Sequence, residues 1–98
     1  MSKTGIPLDL IEEVFSSRGR VRILYLMARK GSINITRLFK EAGLSYETTW
    51  RHLRRLLDLG IVKEVRLGRL RIFQLNEEHP LADKIVALFS GVVRGAGS

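Results

Sequence analysis

Residues 34–59 hold two helical patterns with room for only a very short turn between them, and that spacing restricts how the chain can fold. Asn34 is a strong cap for the stretch ITRLFKEA, in which Ile35, Leu38, Phe39 and Ala42 recur at i, i+3, i+4 and i+7. Ile33, just before the cap, is placed to staple onto Leu38. Gly43 supplies a left-handed stop, and Ser45 can cap a new helix two residues later, with Glu47 set against the positive end of its dipole. Two short helices joined by a tight, glycine-containing turn make a helix-turn-helix.

Placed at 100° per residue, residues 46–59 gather Tyr46, Thr49, Trp50, Leu53, Leu56 and Leu57 into one arc centred on Leu53. That arc is the core face. Glu47, Thr48, Arg51, Arg55 and Asp58 fall on the far side, with His52 and Arg54 on opposite flanks. Amphipathicity demands a polar face but says nothing of its sign. The chain as a whole is cationic, with 17 Lys and Arg against 10 Asp and Glu for a net charge of +7. Residues 45–71 carry seven of those cations, at 51, 54, 55, 63, 66, 69 and 71, against acids at 47, 58 and 64. A solvated helix face explains the charge of one helix; a bias that runs on into the next element is what a helix in a DNA major groove, with its neighbour on the flanking backbone, would show.

That next element changes period. IVKEVRLGRLRIFQL contains two runs rich in Ile, Val, Leu and Phe separated by Gly68 and Arg69, which predicts a hairpin pairing Leu67 with Leu70, Arg66 with Arg71 and Val62 with Leu75. The Arg66 and Arg71 pair is unfavourable alone and needs solvent or an anion beside it. On the N-terminal side, Pro7 opens a stripe of Leu8, Ile11, Val14 and Phe15 that ends near Ser16. Ser17 can cap a following stripe of Val21, Leu24, Tyr25 and Ala28, which Gly31 stops; Gly19 at the junction permits one kinked helix or two short ones. HPLADKIVALFSGVV predicts a last helix over 80–93, with Pro80 in its first turn, Leu81, Ile85, Leu88, Phe89 and Val92 on one face, and residues 95–98 as a frayed tail. The chain shows no repeat or linker, so one domain over 1–98 is expected, mainly α with a small β-hairpin.

Several classes of function find no residues to support them. There is no cysteine, His52 and His79 are far apart, and no Gly-rich phosphate loop is present. The acids at 12–13 and 77–78 are neighbours that point about 100° apart on a helix, so they read as surface solubility and not as a two-carboxylate site. No enzyme, cofactor or metal is expected. No uninterrupted apolar run reaches about 18 residues and the N-terminus lacks the order of a secretory signal, so a soluble, cytoplasmic protein without membrane contact is expected.

Three stretches carry a resemblance. SSRGRVRILYLMARKG looks like the first core helix, LSYETTWRHLRRLLDLGIVKE like the recognition helix running into the first wing strand, and GRLRIFQLN like the returning wing strand of the ArsR/MarR-like winged helix-turn-helix transcriptional regulators, especially compact forms common in archaea. The resemblance covers about residues 15–76. It implies that Ser45, Tyr46, Thr48, Arg51, His52 and Arg55 approach double-stranded DNA, the first few near base edges and the arginines near bases or phosphates. Arg66, Arg69 and Arg71 would touch phosphate or the minor groove from the wing. Ser45 caps its helix in any case, Tyr46 also lies on the core arc, His52 is a flank residue within reach of phosphate, and Trp50 belongs to packing more than to base stacking. The resemblance further implies a homodimer through the terminal helices, using Leu8, Ile11, Phe15, Ile85, Leu88, Phe89 and Val92; the same stripes serve otherwise to close the monomer's own core.

The implied function is sequence-specific DNA binding as a homodimeric transcriptional regulator. The alternative is a protein-interaction or architectural module with only non-specific DNA binding. Metal-sensing relatives use cysteine or clustered histidine, which are missing here, and no effector can be named from an apolar stripe. Similar domains precede small nucleotidyltransferase domains in some proteins, but the sequence stops after its last helix and none is expected. Because Leu53 centres the core arc, Leu53→Ala should lower stability by about 2–5 kcal/mol in chemical denaturation without DNA present.

Overall fold

The structure is a computed structural model that describes residues 5–93; the expected tail at 95–98 lies outside them. In chain order the elements are α1 (Leu8–Val14), α2 (Arg18–Lys30), β1 (Ser32–Asn34), α3 (Ile35–Ala42), α4 (Tyr46–Asp58), β2 (Val62–Leu67), β3 (Leu70–Leu75) and α5 (Ala82–Phe89).

Local chemistry sets most of the helix ends. Ser17, Asn34 and Ser45 each accept a backbone N–H three residues ahead, from Arg20, Arg37 and Thr48, at 3.1, 2.9 and 3.0 Å. Gly43, at φ 72°, closes α3. Its N–H bonds to Lys40 O while that of Leu44 bonds to Phe39 O, the paired closure of a Schellman motif. Gly60, at φ 77°, closes α4 in the same way through Leu57 O and Leu56 O. Asn76 then fastens the far end of the hairpin to this point, its side chain donating to Gly60 O and its backbone N–H to Ile61 O.

Between the two possibilities left at Gly19, the chain forms two helices, α1 and α2. Gly19 lies inside the first turn of α2. A Cβ there would stand 3.2 Å from both His52 Nε2 and Leu44 Cδ1, so glycine is what lets α2 approach α4 so closely.

The hairpin register is the expected one, with Val62 opposite Leu75, Arg66 opposite Arg71 and Leu67 opposite Leu70. Gly68 takes φ 65° while Arg69 stays at negative φ, as a type II′ turn requires. A third strand joins it: β1 pairs antiparallel with β3 in the order β1-β3-β2, Ile33 facing Phe73. Sequence reading missed this strand because it is three residues long, holds one apolar side chain, and ends in the helix cap Asn34.

The core gathers on α2, where Ile23, Leu24 and Met27 meet Leu38 and Ala42 of α3, Leu53 and Leu56 of α4, Ile61 and Phe73. The last helix departs from expectation. It spans Ala82–Phe89, not 80–93, because the Ser90 hydroxyl donates back to Ala87 O and Gly91 follows. Pro80 precedes it in a turn where His79 Nδ1 accepts the Leu81 N–H, and Val92 lies beyond its end. Ile85 and Phe89, expected to face a second copy, are buried in the protomer's own core, Phe89 edge-on to Tyr25 at 5.6 Å. One core hydroxyl, Thr49 Oγ1, finds no hydrogen-bond partner among the described residues. Thr49→Val should therefore raise the free energy of unfolding by about 1 kcal/mol, read from denaturant midpoints at constant slope.

Candidate nucleic-acid interface

The arc drawn on α4 from sequence orients the helix: Thr49, Leu53 and Leu56 are fully buried and Trp50 and Leu57 half-buried. Tyr46, at the helix start, is instead exposed, its ring edge-on to Phe39 at 5.8 Å. Ser45 and Glu47 are exposed beside it, and Thr48 is half-buried. On the outer face Arg51 is exposed and makes no hydrogen bond or ion pair among the described residues.

One flank of α4 is anchored to α1 and α2. The structure turns His52 away from the outer face, where contact with phosphate was expected, and packs it half-buried against the start of α2. Its Nδ1 accepts from Arg20 Nε at 3.3 Å and its Nε2 lies 3.5 Å from Ser17 Oγ, an arrangement that suits the neutral ring. Burial, then the charges of Arg20 and Arg51, pull the His52 pKa below the ordinary value. The Arg20 guanidinium also donates to Glu13 O at 2.7 Å and Glu13 Oε2 at 2.9 Å. The same Glu13 oxygen accepts from Arg55 Nε at 3.0 Å. Hydrogen bonds from Arg55 and Arg20 hold the Glu13 carboxyl below the usual carboxylate range. Glu13, read from sequence as a solubilising acid, is thus a structural joint. Its partners stand seven and 42 positions away, so no spacing in the sequence points to them.

The wing arginines divide into an open pair and a tied one. Arg69 is exposed at the tip without a partner among the described residues, and Arg66 is exposed with a loose contact to Glu64 at 3.4 Å. Arg71 pairs with Glu64 at 2.6 Å and lies over the Trp50 ring at 5.1 Å and the Phe73 ring at 5.7 Å. Glu64 is the anion that the facing Arg66 and Arg71 required, and those two lower its pKa, Arg71 most. Trp50 carries Arg54 as well, at 5.9 Å, so its ring serves guanidinium groups of its own chain. Among the described residues, no group of three His, Cys, Asp or Glu is placed to hold a metal ion, and no helix is long and apolar enough to cross a membrane.

Residues 20–63, from the first turn of α2 through α4 to the start of β2, match the family described as winged helix-turn-helix DNA-binding. The chain has the winged helix-turn-helix fold. This winged helix is 31% identical over 75 residues to the cadmium resistance transcriptional regulatory protein CadC homolog of Staphylococcus aureus. The match takes in 74% of the chain and 62% of the relative, so the chain spans about three fifths of that relative's length. The transcriptional repressor PagR of Bacillus anthracis superposes with a TM-score of 0.71 at 20% identity, over 83% of this chain and 88% of PagR. A homodimeric winged helix-turn-helix DNA-binding domain from Mycobacterium bovis gives 0.63 at 23% identity, over 85% of this chain and 74% of that one. At such identities the structures share the fold.

Burial of a neutral His52 has a pH signature. With its folded pKa lowered, the unfolded chain takes up the proton first, so stability is lost as pH falls below the ordinary 6.5. Glu13, Glu41 and Glu64, also lowered, add further loss as pH falls below 4.5. Thermal unfolding should show a falling midpoint between about pH 7 and pH 5, and His52→Gln should flatten that segment alone.

Proposed function

We propose that the winged helix binds double-stranded DNA sequence-specifically, as a homodimeric transcriptional regulator of the cytoplasm. The observation that carries this reading is the outer face of α4. Arg51 stands there without a partner among the described residues, Ser45, Tyr46 and Thr48 lie at the helix start, and Arg69 at the wing tip is likewise without one, on a chain whose residues 20–63 match a DNA-binding family. With α4 in the major groove, the start of the helix and Arg51 meet base edges, while Arg55, Arg66 and Arg69 meet the flanking backbone or minor groove. His52 and Arg71, both engaged within the domain, support these contacts from behind.

The terminal helices leave a mainly apolar cleft of about 220 Å³ between α1 and α5, where Ile11, Phe15, Leu81, Ile85 and Leu88 line the wall together with Lys84. Leu8 and Leu88 are exposed at 71% and 58%, more than a lone domain gains from leaving in water. Covering this face with a second copy would bring two α4 helices to successive major grooves, and the Mycobacterium bovis relative is a homodimer by name. Val92, beyond α5, lies on a different cleft with Val21 and Tyr25. Cadmium is not carried over from the Staphylococcus aureus relative, because these 98 residues contain no cysteine to supply thiolates. The relatives are regulators by name, and no catalytic step is assigned.

The test is selection of genomic duplex fragments by the purified protein at physiological salt, followed by sequencing. A short inverted repeat with half-sites about ten base pairs apart is expected. Uniform, salt-sensitive retention would overturn specificity in favour of an architectural role, and a strict monomer by light scattering at micromolar protein would overturn the dimer. On the selected site, Arg51→Ala should cost about 1–3 kcal/mol and relax one position, whereas Arg69→Ala should weaken all sequences alike and lower the salt slope by about one.

A further inference from the structure

We propose that Glu13 is a positioning residue for DNA binding: its carboxylate holds the Arg55 guanidinium by one edge so that the opposite edge is presented to a DNA phosphate. The inference rests on the DNA-binding reading above. Arg55 donates only its Nε to Glu13, and neither Nη makes a hydrogen bond among the described residues. A guanidinium fastened at Nε keeps its two Nη groups as a planar fork, the shape that fits two phosphate oxygens.

The carboxylate that holds it is itself immobilised. Glu13 Oε2 accepts from Arg20, and Arg20 is buried, further fixed by Glu13 O at 2.7 Å and by His52 Nδ1 at 3.3 Å. The order of support runs from the buried Arg20, through Glu13 at the end of α1, to Arg55 on the outer part of α4. A freely rotating arginine must give up its rotamers when it meets phosphate; Arg55 has already done so in the free protein. Glu13 is shared between two guanidiniums, so it orients Arg55 without by itself cancelling the attraction for DNA.

Fluorescence anisotropy with a fluorescein-labelled, mixed-sequence duplex about three helical turns long tests this across a salt series. Four proteins are compared: the wild type, Glu13→Ala, Arg55→Ala and the double variant. Glu13→Ala is expected to weaken binding about five-fold with an unchanged salt slope, and Arg55→Ala to lower the slope by about one. In the Arg55→Ala background, Glu13→Ala should cause no further weakening. Tighter binding with a steeper slope for Glu13→Ala would overturn the proposal, since Glu13 would then compete with phosphate for Arg55. Equal weakening in both backgrounds, or none in either, would also overturn it, by showing that Glu13 does not act through Arg55. Should Glu13→Ala fail to fold, Arg55→Lys asks the same question: it keeps the charge but loses the fork, so it should bind more weakly at the same slope, and wild-type affinity would overturn the proposal. Failure of the wild type to bind any duplex would instead refute the DNA-binding reading on which the inference stands.

Discussion

A guanidinium with little access to water ties three helices together. Arg20 is 8% exposed, and a charge so placed is tolerable only if its donors are used. They are: the backbone and side chain of Glu13 take one end, and the His52 ring takes the other. Because these partners sit on α1 and α4 while Arg20 sits on α2, satisfying one side chain fixes how the three helices meet. Gly19, one residue earlier, makes the arrangement possible by letting the start of α2 come within contact of His52 and Leu44. The outward aim of α4 follows from this packing as much as from its apolar arc.

A similar economy joins the wing to α4. Glu64 gathers Arg66 and Arg71 on one face of the hairpin, and Arg71 then reaches over Trp50. Glu64 of the wing, like Glu13 of α1, is thus occupied in orienting arginines. On the outer face of α4 and the wing, the guanidiniums most open to a partner are those of Arg51 and Arg69, with Arg66 and the outer edge of Arg55 beside them.

What could be read from the sequence was whatever local chemistry decides. Ser17, Asn34 and Ser45 cap their own helices, Gly31 and Gly43 end theirs, and a two-residue Gly68 and Arg69 loop leaves the hairpin only one register. The outer face of α4 was legible for the same reason, since a 13-residue helix with a full apolar arc has one way to lie on a core. Facts that depend on how helices cross were hidden. Whether His52 points to solvent or to α2 turns on the close approach at Gly19. Whether Phe89 faces a partner or the core turns on Tyr25, 64 positions earlier, and an angular projection of α5 by itself treats both outcomes alike. The Glu13 joint was invisible because a carboxylate two helices away from Arg55 leaves no periodic trace.

Asn76 has a mechanical consequence. By bonding Gly60 O through its side chain and Ile61 O through its backbone, it rivets the returning strand to the end of α4, while Arg71 on Trp50 braces the same strand nearer the tip. Helix and wing therefore form a caliper of set gauge. A duplex gripped by it as proposed has to match its own groove width to that gauge. Base steps that never touch the protein would then enter its preference through the work of bending or narrowing the DNA.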